Sequence, residues 1–188
     1  MHVRMAAGIL LLIALPPWAG GAETGTLLAA VWKEQRFDFL YVGRTARYSC
    51  EGLRDKMRAL LLDLGARRDL KVSVVACDET ANGVGRNAIG PRLGIVFSSP
   101  ALPDGAAKPP HPGDPVGVDA RFEPFTLTSD AFRNYGIGDC ELVEQFTRQI
   151  LPKLTTRGVT KDITCVPNQF SGSRFFVRGE ILRAVSGS

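Results

Sequence analysis

Histidine is all but missing from this 188-residue chain, which has two, His2 and His111. That scarcity excludes most acid–base and nucleophilic chemistry, where an imidazole held within hydrogen-bonding reach moves the proton. His2 stands in a leader segment and His111 alone in a proline-rich stretch, so no histidine pair exists for zinc. An excess of one charge is missing too. The 23 Lys and Arg nearly balance 19 Asp and Glu, and a net charge of +4 is no nucleic-acid footprint. Between Lys33 and Lys71 basic residues outnumber acidic ones, but the two are interspersed, which describes a solvated mixed face. The C-x-x-C spacing of thiol oxidoreductases is absent, and so is an Asn-x-Ser/Thr acceptor; Asn168-Gln169-Phe170 is not one. Past the leader no apolar run approaches the roughly 18 residues that a membrane helix needs.

The leader itself is informative. Arg4 supplies a positive start, Ala6 to Leu15 forms the apolar run, and Gly20 and Ala22 place small residues before a cut. Residues 1–22 therefore read as a secretory signal peptide that leaves Glu23 as the new N-terminus. The apolar run is too short to span a bilayer, and no cysteine follows it to carry a lipid. The expected location is the periplasm or the exterior, and the remaining chain of about 166 residues suits one ordinary domain or two small fused ones.

Four cysteines remain, and an even count in an exported chain points to two disulfides. Four cysteines allow three pairings, and an internal repeat favours one of them. SCEGLRDKMRALLLDLGARRDLKVSVVAC and DCELVEQFTRQILPKLTTRGVTKDITC each open on an N-cap residue, a cysteine and a glutamate. Each continues as an amphipathic helix. Leu53, Met57, Leu60, Leu61 and Leu64 share one face in the first copy. Leu142, Val143, Phe146, Ile150, Leu151 and Leu154 do so in the second. Gly65 and Gly158 are expected at or just past the helix ends. A strand then closes on a second cysteine, 27 residues after the first in one copy and 25 in the other. Val75 with Cys77, and Val159 and Ile163 with Cys165, are expected on the helix-facing side of those strands. The matching spacing pairs Cys50 with Cys77 and Cys140 with Cys165, as structural staples.

The flanks extend the repeat. RFDFLYV precedes the first helix and RFEPFTL the second, where Pro124 demotes part of the segment to an edge or irregular strand. RLGIVF and RFFVRGEIL follow as further strands. The expected fold is α+β: two duplicated βαββ units with ferredoxin-like layering, two helices on an antiparallel or mixed sheet. Residues 23–99 form the first unit, 100–117 a Pro/Gly-rich linker and 118–188 the second. A right-handed crossover through each helix makes its two flanking strands parallel.

Candidate chemistry is sparse. The glycines between Asn82 and Gly90 lack both a dinucleotide fingerprint and a P-loop lysine. Asp78 beside Glu79 is one adjacent carboxylate pair among nineteen acidic residues. Tyr48 and Tyr135 sit near the helix starts, where core packing is the expected role and packing over the disulfides the alternative. No catalytic, metal or cofactor residue is singled out. Phe37, Phe39, Phe175 and Phe176 leave two alternatives: apolar groups on both faces of a sheet, one free to dock a partner, or two units covering each other's open faces.

YSCEGLRDKMRALLLDLGAR together with GDCELVEQF resembles small exported proteins of Gram-negative bacteria that carry no assigned activity. The resemblance implies an envelope location and brings no catalytic residues. The expected role is a non-catalytic binding module with a protein partner in the cell envelope, reached by strand addition at an open edge. An envelope hydrolase or thiol enzyme, and a periplasmic folding or stress factor, are the alternatives.

Overall fold

The computed structural model describes residues 26–77, 91–103, 117–129 and 136–185. Its elements are β1 (Leu28–Leu40), α1 (Cys50–Asp63), β2 (Lys71–Ala76), β3 (Arg92–Ala101), β4 (Gly117–Thr128), α2 (Cys140–Gln149), β5 (Thr156–Thr164) and β6 (Arg174–Ala184). Single 3-10 turns, Ile137–Asp139 and Leu151–Lys153, bracket α2. The leader, His111, the Asn82–Gly90 loop, Asp78, Glu79 and Tyr135 lie outside the described residues.

The leucine spacing works as the helical period demands. All the apolar positions that share a face on each helix are buried, at 5% exposure or less. The Ser49 hydroxyl accepts from the Gly52 N–H and caps α1. Its other end closes on a left-handed glycine: Gly65 (φ 83°) donates to the Leu62 carbonyl and Ala66 to that of Leu61. A Cβ at Gly65 is strained by that φ, so Gly65→Ala is expected to cost about 1 kcal/mol in a urea titration. Gly158 does not have the matching role. It lies inside β5, at an irregularity between Arg157 and Thr160, and α2 ends instead through the turn holding Pro152.

Six strands form one antiparallel sheet in the order β2-β3-β1-β4-β6-β5. β1 and β2 run in the same direction, as the crossover requires, with β3 inserted antiparallel between them; β6 lies likewise between β4 and β5. Phe39, Leu93, Ile95, Phe125, Phe175 and Val177 join the apolar faces of both helices in one core, so both helices cover the same side of the sheet.

β1 and β4 pair over only four residues, Leu28–Val31 against Gly117–Ala120. Beyond that overlap they diverge in opposite directions, and on a flat sheet their far ends would sit on the order of 50 Å apart. Yet the start of α2 hydrogen-bonds the loop that follows β1, and Thr155 reaches the Pro100 carbonyl. The sheet therefore curls around its helices and brings the two halves together.

Pro124 lies in an edge-like part of β4, as its composition indicates. It pairs with Glu180 inside β4, at a point where β1 no longer runs alongside, so one flank of the strand is free of a neighbour that would need its missing N–H. Pro100 belongs to β3, opposite Trp32, and Gly117 to β4, so the linker is shorter than its composition indicates. The RFDFL and RFEPF flanks are also one residue out of step. Phe37 faces the helices and Phe122 the opposite side, whereas Phe39 and Phe125 both enter the core. The same parity error affects the cysteine strands. Val72 and Val74 face the core, so ordinary alternation turns Val75 out to 55% exposure. β2 carries a register shift between Val74 and Ala76 before it reaches Cys77. In β5, Ile163 and Cys165 do pack against the core, but Val159, in the irregular stretch, is exposed.

Candidate functional site

Each helix begins with a half-cystine, and each disulfide ties that start to the end of the following edge strand. Cys50 is bonded to Cys77 and Cys140 to Cys165, with Cα separations of 6.0 and 5.7 Å. Cys50 and Cys140 are buried, and no described cysteine is free. These four residues are staples, not nucleophiles.

Around the two helix starts lies a buried polar cluster. Asp139 occupies the N-cap position of α2, yet its side chain does not cap the helix. It accepts instead from Tyr48 Oη (2.5 Å), Lys56 Nζ (2.8 Å) and the Gly136 N–H (2.8 Å). Glu141, in the first turn, accepts from the Arg44 N–H at 2.8 Å and the Thr45 N–H at 3.0 Å. One turn on, Gln145 reads the Val42 backbone in both senses, accepting from its N–H and donating to its carbonyl. Asn168, left-handed at φ 63°, donates its N–H to Thr45 Oγ1. Tyr41 and Tyr48 stack edge-on at 5.1 Å. Burial foremost, then the nearby carboxylates, pushes both phenols above their usual range, which keeps them protonated donors.

This cluster joins the halves of the molecule. Its carboxylates are held by donors from across the interface, joined at Asp139 by the local Gly136 N–H. Tyr48 thus does more than pack: it is the hydrogen-bonding partner of Asp139. Asp139, Glu141 and Gln145 are absent from the sequence reading except as cap and dipole residues. The available signal was the placing of Glu141 and Gln145 one turn apart, beside positions that the apolar period buries.

The face of the sheet away from the helices carries apolar residues of its own. A second, small cluster lies there, in which Ala30, Ala120 and Leu182 are buried among Leu28, Val118 and Phe122. Strand alternation puts Trp32 on the same side. Guanidinium groups flank it: Arg157 lies 4.1 Å over the Phe122 ring and Arg67 5.5 Å over Trp32. Asp69 and Glu180, the ion-pair partners of these arginines, are held below the usual carboxylate range by those contacts.

On the helix side, two adjoining clefts of about 460 and 280 Å³ share Glu144 and Arg148 of α2 as a common wall. Among the described residues, no group of three or more His, Cys, Asp or Glu is arranged to hold a metal ion, and no helix is long and apolar enough to cross a membrane. No protein-family model matches the chain, and no curated protein or solved structure matches it.

Proposed function

We propose that the chain is an exported, non-catalytic binding module of the bacterial cell envelope, built from two duplicated βαββ units, that meets a protein partner through its outer sheet face. The observation that carries this reading is the apolar patch around Trp32 and Phe122 with arginines stacked on both rings. Aromatic side chains and arginine dominate the residues that bind most strongly at protein interfaces. Strand addition at an outer edge is a poorer fit. β2 is short, both edge strands are irregular, and β5 carries the adjacent charges Lys161 and Asp162, all of which are features that block edge pairing.

Export, with a cut after Ala22, is supported by the leader pattern and by two disulfides that an oxidising compartment maintains. Duplication is supported by a strand order that reads alike from either edge and by the two equivalent staples.

The test is a photo-crosslinking residue at Trp32 in the exporting cell, with Glu51 on α1 as the control position. The expected result is one discrete adduct from Trp32 alone, identified by mass spectrometry. Purified Trp32→Ala/Phe122→Ala protein should then bind that partner at least tenfold more weakly, with its thermal midpoint little changed. Equal adducts from both positions, or undiminished affinity of the double variant, would sink the reading.

A further inference from the structure

We propose that the outward ridge of α2 binds a small organic monocarboxylate with an apolar tail, in the two clefts that meet at Glu144 and Arg148. The argument begins with what α2 exposes. The helix is buried almost all round, and of its ten residues only Glu144 and Arg148 are exposed. Arg148 and Lys161 line the smaller cleft, and Arg44 joins Arg148 in the larger one. Among the described residues none of these three cations has a carboxylate within ion-pair distance, whereas eight other arginines do.

Lys161 is also on an unusual side of its strand. Its partner in register, Val177, is fully buried in the core, so the lysine rises from the helix-facing side of β5. Edge protection accounts for an inward lysine by itself. It does not account for Thr147, which lines the same cleft and whose Oγ1 is buried with no hydrogen-bond partner. An orphaned buried hydroxyl is costly unless something supplies its partner. Threonine in a helix has two accessible χ1 rotamers, and one rotation lets the hydroxyl donate to a bound anion.

Charge decides the class of anion. Arg44, Arg148 and Lys161 face Glu144 and Glu141 across the two clefts, which leaves one positive charge in excess. That excess matches a carboxylate better than a phosphate dianion. The guanidinium of Arg148 presents the paired donors that a carboxylate takes. Leu40, Val42 and Pro167 line the larger cleft and give the tail its apolar contact. The site lies on the helix side, and its existence does not depend on the Trp32 face.

The experiment is an amide chemical-shift titration of the oxidised full chain with octanoate, beside octylamine and neutral octyl glucoside. Octanoate is expected to move the Thr147, Arg148 and Lys161 amides saturably, while the other two leave them in place. Arg148→Gln/Lys161→Gln changes two solvent-facing groups and is expected to weaken octanoate at least tenfold. Thr147→Val removes the orphan hydroxyl, so it should raise the thermal midpoint and yet weaken octanoate about fivefold, a combination that a purely structural threonine does not give. An acetylated Ala-Leu dipeptide with a free C-terminus separates the sources. Tighter binding than octanoate assigns the carboxylate to a peptide end, and weaker binding assigns it to a fatty acid. Equal shifts from octyl glucoside, undiminished affinity of Arg148→Gln/Lys161→Gln, or a lower midpoint with unchanged affinity in Thr147→Val would each overturn the proposal.

Discussion

Cys140→Ser/Cys165→Ser is expected to lower the unfolding free energy by about 3–4 kcal/mol, and Cys50→Ser/Cys77→Ser by about the same. The staples close loops of 25 and 27 residues, so the chain entropy each removes from the unfolded state is nearly equal. Their placing adds to this. β2 and β5 are the outermost strands, each hydrogen-bonded to a single neighbour, and each is anchored at its far end to the start of a buried helix. An edge strand cut loose from that anchor is the first part to open. The sum of both losses, about 7 kcal/mol, is comparable to the whole stability of a typical domain, roughly 5–15 kcal/mol. The four-serine protein is therefore expected to be largely unfolded at 37 °C, and the oxidised chain to lose its urea transition under dithiothreitol. Urea midpoints of the two paired variants check this, with amide exchange of β2 and β5 as the local readout. A Cys140→Ser/Cys165→Ser midpoint equal to that of the parent would show that the staple contributes nothing.

The cysteine pairing was legible because repeat spacing and helix starts are local features, and the same holds for the leucine faces. Parity within the strands was not. Phe122 lies one residue out of step with Phe37, and a single-residue slip exchanges the two faces of a strand. The register shifts in β2 and β5 have no clear local signature; Gly158 marks only the second, and its helix-end reading competed with the true one. That apolar groups stand on the side of the sheet away from the helices was legible, but not which residues they are. Leu28, Ala120 and Leu182 meet through the pairing of β1, β4 and β6, a long-range contact that no local feature announces. The clefts along α2 likewise depend on where β5 runs against the helix, so Lys161 and Thr147 gave no signal in sequence.

Glu51 and Glu141 hold the same place on the two helices, directly after the cysteine, and are expected to differ sharply on substitution. Glu51 is exposed and pairs with Arg54 one turn on, so Glu51→Ala should cost less than about 1 kcal/mol. Glu141 is 8% exposed, and its carboxylate accepts the backbone N–H groups of Arg44 and Thr45, which lie 97 and 96 residues earlier in the chain. Alanine there leaves two part-buried donors without an acceptor at the seam between the halves. Hydrogen bonds to a charged group contribute about 1.5–3 kcal/mol each, and their loss is only partly made good by water. Glu141→Ala is therefore expected to cost about 3 kcal/mol. Glu141→Gln should cost about half of that, since its amide oxygen still accepts while its NH2 group opposes the second donor. Urea titrations of the three variants give the comparison, and crystal or amide-shift data on Glu141→Ala should locate the disturbance at Val42–Thr45. Equal losses for Glu51→Ala and Glu141→Ala would mean that the first-turn glutamates act through the helix dipole alone, and that the halves are held together by their shared core without this lock.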